Sequence, residues 1–226
     1  AFTEGNSWHY SWSVFHDPQG LIDLMGGKDM FITMLDSVFS VPPVFDERYY
    51  GQVIHEIREM TIMNMGNYAH GNQPIQHMIY LYNYAGQPWK TQKRIRQMLK
   101  TWFRNDLMGM PGDEDGGGMT SFVVFSSLGF YPVTPGLPVY NIGSPLFTNA
   151  KVTLSNGAVF EIEAQNTSAD NKYIQSATLN GKEWNKSWFS HEDLKDGGKL
   201  VLVMGSKPNK AWGSGVGDVP PSLEMK

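Results

Sequence analysis

The sequence predicts an α+β fold in which a helical segment comes first and a small antiparallel β-sheet segment follows. Three observations carry this. Apolar residues recur at helical spacing up to about residue 128. After Gly129 the chain turns to short alternating or β-branched runs, and Pro132, Pro135 and Pro138 separate the two textures. The expected organisation is a helical domain over 1–132, a β segment over 133–212 and a loose tail over 213–226.

In chain order, Phe31, Leu35, Val38 and Phe39 share one helix face, with Asp29 and Met30 at its start. Ile75, Met78, Ile79 and Tyr82 repeat the pattern after Pro74, which suits a first helical turn, and Gly86 ends that run. A further helix begins near Pro88 and carries Trp89, Ile95, Met98, Leu99 and Trp102 on one side. Its Lys93, Arg94, Arg96 and Lys100 read as a solvated face. Strands are expected at 139–142, 151–154, 159–163, 174–179 and 199–204. The connecting turns are Ser155-Asn156-Gly157, Asn180-Gly181 and Asp196-Gly197-Gly198, and Asn-Gly is a strong hairpin signal.

Composition excludes several functions. A net charge of -4 leaves no basic field for a phosphate backbone, so no nucleic acid partner is expected. No apolar run approaches the roughly 20 residues that cross a bilayer, so no membrane span is expected. Cysteine is absent, which removes disulfides, thiolate metal sites and thiol nucleophiles. Aromatic residues make up 13% of the chain, with seven tryptophans, and many sit beside Gly, Asn, Asp and His. That mixture suits sugars, whose C–H faces stack on rings while their hydroxyls need polar partners.

Three polar clusters lie where regular structure should break. The first runs from Thr3-Glu4-Gly5-Asn6-Ser7-Trp8 to His16-Asp17-Pro18 and also fits a helix start capped by Thr3 or Asn6. The second, His70-Gly71-Asn72-Gln73-Pro74-Ile75-Gln76-His77, offers amide and carbonyl oxygens suited to a hard cation. The third, Gly112-Asp113-Glu114-Asp115-Gly116-Gly117-Gly118, lacks the acid spacing of an EF-hand. It reads either as an acidic helix cap or as a pair, Asp113 and Asp115, projecting to one side to deprotonate a water.

At these residues the chain closely resembles glycoside hydrolase family 92, the calcium-dependent exo-α-mannosidases. The matching stretches are 4–8 through 16–17, 70–74 through 82–90, 112–115 through 127–132, and 142–145. The resemblance implies the later helices of an (α/α)6 catalytic toroid followed by C-terminal β structure, with the N-terminal half of the parent protein missing. It places the general acid on Glu4 and the general base on Asp113 and Asp115, with Asp115 the proton acceptor. In an inverting enzyme those carboxyls stand roughly 6.5–9.5 Å apart. It further implies a calcium ion near Asn72 and Gln73, water-linked to Asp115, and sugar contacts from Trp8, His16, Asp17, His70 and His77. The substrate is a mannose-containing glycan, and the location periplasmic or extracellular.

Some members carry Glu where this chain has Gln73, so the linkage stays open; members specialised for mannosyl phosphodiesters replace the acid by Gln, whereas Glu4 is retained here. The isolated segment is expected to be inactive. Two rival readings stand beside this one. One is a noncatalytic carbohydrate-binding module, and the other is a glycosidase of another toroidal family, against which the 71–74 and 112–115 motifs argue.

Overall fold

The structure, a computed structural model, describes residues 2–44 and 46–223; residues 1 and 224–226, at the outer ends of the expected helical domain and tail, lie outside it. In the helical half, α1 (Ser7–Tyr10), α2 (Pro18–Leu24), α3 (Lys28–Val38) and α4 (His55–Met63) precede a broken rod. The rod consists of α5 (Gln73–Gln76), a 3-10 turn (His77–Tyr80) and α6 (Leu81–Tyr84). Then come α7 (Pro88–Trp102) and α8 (Gly118–Leu128). Phe31, Leu35 and Val38 are buried along α3, as their spacing requires, and Ile95, Met98, Leu99 and Trp102 along α7. Pro74 and Pro88 each occupy a first helical turn, where the missing N–H costs nothing.

The β half holds eight strands: β1 (Phe130–Tyr131), β2 (Val139–Ile142), β3 (Asn149–Thr153), β4 (Val159–Gln165), β5 (Tyr173–Leu179), β6 (Lys182–Glu183), β7 (Trp188–Ser190) and β8 (Gly198–Gly205). They form a three-stranded sheet, β1-β2-β7, and a five-stranded sheet, β3-β4-β8-β5-β6. The expected all-antiparallel segment is corrected in one respect: β8 runs parallel to β4 and antiparallel to β5. The Ser155–Gly157 and Asn180–Gly181 turns close hairpins as expected, yet β8 returns to the centre of the sheet rather than adding at an edge. Leu200, Leu202 and Met204 point from it into a core shared with Phe160, Ile162 and Leu179. A second core, in the helical half, gathers Trp12, Phe31, Tyr68, Tyr82, Ile95, Trp102 and Phe122.

Polar side chains tie the halves together. Asn83 donates to the carbonyls of Ile142 and Ser187 at 2.9 and 3.1 Å, and Gln92 accepts from the Ile174 N–H at 3.0 Å. Arg96 does not lie on a solvated face. Its guanidinium donates to the carbonyls of Pro145 and Ser168 at 2.7 and 2.6 Å, stitching α7 to the β half.

The expected loose tail is also corrected. Trp212 is buried and donates to the Trp184 carbonyl, and the Ser187 N–H reaches Asp218. The Leu223 N–H then donates to the carbonyl of His16 at 3.0 Å. Through at least Leu223 the segment is a strap running from the β half back over the N-terminal helices, fixed by backbone bonds that its polar, Gly-rich composition does not advertise.

Candidate active site

The three polar clusters, distant in sequence, meet at one place. The Asn72 side-chain amide donates to the Glu4 carbonyl at 3.0 Å, and the Gln73 amide donates to the Asp113 carbonyl at 2.6 Å. Gly71 and Gly112 lie back to back: a Cβ built on Gly112 would stand 2.1 Å from the Gly71 oxygen. Gly112 also has φ +61°, which a β-carbon disfavours. Both glycines are therefore required for the approach of the second cluster to the third. Gly112→Ala is expected to lower stability by about 1–3 kcal/mol and to displace Asp113. A melting curve of the variant that overlays the parent's would refute this contact.

Within the acidic loop the three carboxylates have separate roles. Glu114 accepts from the N–H groups of Gly117 and Thr120 and from the Thr120 hydroxyl, which holds its pKa below the usual range. It is the cap of α8, satisfying donors that a helix start leaves open. Asp113 and Asp115 are exposed and free of that duty.

A fourth contributor was not foreseen. α4 begins at His55-Glu56-Ile57-Arg58-Glu59, and its imidazole Nε2 stands 3.1 Å from Glu56 and 3.5 Å from Asp113. The Gly112 N–H donates to Glu59 at 3.1 Å. Glu56 is buried, which raises its pKa, with Glu4 and Glu59 adding repulsion against the opposing pull of His55. One carboxylate oxygen each of Glu56 and Glu59 is buried without a hydrogen-bond partner. The His55–Glu59 spacing of four on a helix was the available sequence signal. A pocket beside Glu4 is lined by Phe2, His9, Tyr49, Tyr50, Glu56 and Ile57, among others.

Among the described residues, five other than glycine have left-handed backbone: Glu4 (φ +52°), Asn64, Asp115 (φ +49°), Asn166 and Asn180. Asparagine and aspartate take this conformation more readily than other residues; glutamate does so at a cost. Among the described residues Glu4 and Asp115 are thus the acids with left-handed backbone; for Glu4 that conformation is strained, and such strain concentrates at functional sites.

The residues expected to contact the sugar sit in several places, two of them in the core. His70 has no exposed surface; it accepts or donates to Tyr68 at 2.7 Å and packs against Trp102, Phe103 and Phe122. His77 is buried with Nε2 on the Trp12 carbonyl. Both are core imidazoles that shape the 70–77 bend from inside. Asp17 caps α2 through the Gly20 N–H, and exposed His16 holds the strap by its carbonyl. Trp8 is half-buried against the helical core and borders a different hollow, with Ser7, Ser11 and Met34. Asn6, one of the two expected caps, is the residue that caps α1.

A helical segment bearing separate acid loops beside a ring-lined pocket, joined to a β half, is an arrangement that a glycosyl hydrolase catalytic domain can use. The model of one such domain, glycosyl hydrolase family 92, matches residues 1–206, and the chain belongs to that family. It is similar to the family 92 inverting mannosidase BT2199 of Bacteroides thetaiotaomicron, with 51% identity, TM-score 0.84, and coverage of 98% of this chain and 30% of that one. The family 92 α-mannosidase BT3965 of the same organism, solved with mannoimidazole, aligns at 37% identity and TM-score 0.87 over 98% of this chain and 28% of that one. A curated relative, an uncharacterized secreted glycosidase of Arthroderma benhamiae, is 35% identical over 97% of this chain and 26% of its own length. The chain therefore spans between a quarter and a third of the relatives it matches. Among the described residues no helix is long and apolar enough to cross a membrane.

Proposed function

We propose that the protein carrying this chain is an inverting exo-α-mannosidase acting on mannose-containing glycans. Glu4 is its general acid, and Asp115, assisted by Asp113, is its general base. The observation that carries the reading is convergence: Glu4 and Asp115, both with left-handed backbone, belong to loops that Asn72, Gln73, Gly71 and Gly112 pull to one site. In the reaction the Glu4 carboxyl gives its proton to the glycosidic oxygen as the bond to the anomeric carbon breaks. Asp115 takes a proton from a water that attacks the opposite face, so the products are a free alcohol and mannose of inverted anomeric configuration. His55 and Glu56, lining the space on the Glu4 side, then face the departing group.

The residues present fit a calcium ion. Among the described residues, no three carboxylates or imidazoles converge to hold a metal by themselves. Both site amides, however, commit their nitrogens to carbonyls, and among the described residues nothing donates to Asn72 Oδ1 or Gln73 Oε1. The unpaired buried oxygens of Glu56 and Glu59 add hard donors in the same region, and calcium takes six to eight oxygen ligands, waters included. Asn72 and Gln73 would hold it, with Asp115 linked through water. Bound there, the ion supplies a positive charge that grips vicinal sugar hydroxyls.

The helical domain over 1–132 is read as the later part of an (α/α)6 toroid and 133–212 as its C-terminal β segment. The N-terminal part that the relatives carry beyond this chain completes the sugar pocket, and the whole protein is exported to the periplasm or medium. This segment alone is inactive. The test is mannose release from linkage-defined α-mannobiosides by the full-length parent, with calcium and with chelator. Release abolished by chelator and restored by calcium is expected; turnover by the purified 226-residue chain alone would overturn the proposed dependence on the N-terminal part.

A further inference from the structure

We infer that Tyr50 is a positioning residue for the acid, gripping the Glu4 peptide from the loop between α3 and α4; this rests on the assignment of Glu4 as the acid. The Tyr50 Oη accepts from the Glu4 N–H at 2.6 Å, across a sequence separation of 46 residues. The same hydroxyl lies 3.4 Å from the Phe2 carbonyl, to which it donates. One phenol thus holds the Phe2 carbonyl and the Glu4 N–H, the groups on either side of Thr3 in the turn that bears the acid.

The turn needs such a grip. At φ +52° Glu4 holds a conformation that its own Cβ disfavours, and neither of its backbone polar groups is bonded within α1. Its carbonyl is taken by Asn72 and its N–H by Tyr50. Tyr10 adds a third tether, donating to the Thr3 carbonyl at 2.6 Å while its ring stacks on Phe2. Tyr50 differs from these partners in where it comes from. Asn72 belongs to the buried bend and Tyr10 to α1, whereas Tyr50 follows a single 3-10 turn (Glu47–Tyr49) in an otherwise irregular connection.

Geometry then couples this grip to binding. Tyr49, Tyr50 and Ile54 of the connection line one side of the pocket beside Glu4, and Phe2, Gly5 and Asn6 of the turn line the other. A leaving sugar seated there touches both walls and holds the connection against the turn. Occupation of the pocket therefore fixes the orientation of the acid. Loss of the phenol oxygen frees the Glu4 N–H to water, since this bond lies at the surface, and lets the turn relax toward a right-handed backbone that aims the carboxyl elsewhere. Misplacing a catalytic group by about an ångström costs on the order of 100-fold in rate.

The discriminating experiment uses Tyr50→Phe in the full-length parent, assayed on an α-mannobioside and on 2,4-dinitrophenyl α-mannoside. The dinitrophenolate leaves without a proton, so it does not need the acid. The expected result is a kcat/KM loss on the order of 10- to 100-fold on the disaccharide, carried by kcat, with less than about 3-fold loss on the aryl mannoside and an unchanged melting temperature. In a Glu4→Gln background the same substitution should have no further effect on the disaccharide. Equal losses on both substrates, or no loss on either, would overturn the inference. Glu4→Gln alone separates the two layers of the argument. If it shows the leaving-group dependence and Tyr50→Phe does not, only the positioning role is lost. If Glu4→Gln lacks that dependence, the acid assignment fails and the role of Tyr50 falls with it.

Discussion

Replacing Glu4 by Gln in the full-length parent lowers kcat on α-mannobiosides by about 10²- to 10⁴-fold, the usual worth of general acid catalysis, with little change in KM. The side chain is exposed and makes no hydrogen bond in the described structure, so its amide isostere leaves folding intact. The loss arises in the transition state alone, when the glycosidic oxygen takes on charge and has no proton to accept. Melting temperature is expected to match the parent within a degree or two, a few tenths of a kcal/mol by the usual conversion. A kcat within 3-fold of the parent would remove Glu4 from the mechanism.

The second large effect is on stability, and its sign follows from three buried imidazoles. Burial lowers the pKa of His9 to about 4, of His70 to about 3 and of His77 to about 4. For His9 the hydrogen bonds agree: Nδ1 accepts from the Asn6 N–H, so the proton sits on Nε2, facing the Asn67 carbonyl. Unfolded, each ring titrates near 6.5. Between about pH 6.5 and 4 the unfolded chain therefore binds up to three more protons than the folded one. Stability from these groups is fully present above pH 6.5 and is lost as pH falls through the folded values. Each shift is worth about 3–5 kcal/mol, comparable together with the whole stability of a domain.

Glu56 acts with the opposite sign. Burial raises its pKa, so its contribution is greatest below the unfolded value and fades as pH rises. One carboxyl does not cancel three imidazoles in the window from pH 5 to 6.5. Scanning calorimetry of the chain should show a melting temperature falling steeply below pH 6.5, with uptake of about three protons on unfolding at pH 5. A melting temperature flat from pH 7 to 5 would mean that these rings are solvated.

Much of the architecture was legible because it is local. Phe31, Leu35 and Val38 specify α3 by spacing alone, and Asn180-Gly181 closes a hairpin wherever it stands between two alternating runs. Strand direction is not local. The buried alternation of Leu200, Leu202 and Met204 reads the same whether β8 pairs in parallel or antiparallel, and only the path of the chain decides. The tail is illegible for a related reason: its long-range contacts run mostly through backbone groups, to Ser187 and His16, with the Ser222 hydroxyl accepting from the Gln19 N–H, and they leave no apolar periodicity.

At the site, the sequence exposed the carboxylates and amides but not their division of labour. Glu114 is indistinguishable from its aspartate neighbours until its bonds to Gly117 and Thr120 are seen. His70 and His77 look like ligands in a polar bend, yet the bend folds around them and turns both rings inward. His55, Glu56 and Glu59 were overlooked because α4 is a short helix between irregular segments. Its contribution is evident only where Gly112 meets Glu59.

The most direct test of the central claim is the anomeric form of the first mannose released by the full-length parent, followed by proton NMR within the first minutes of reaction. An acid at Glu4 and a base at Asp115 acting on opposite faces give β-mannose first, with the α-anomer growing in only by mutarotation. Initial α-mannose would require a covalent intermediate and a nucleophile in place of a base, and would contradict the account.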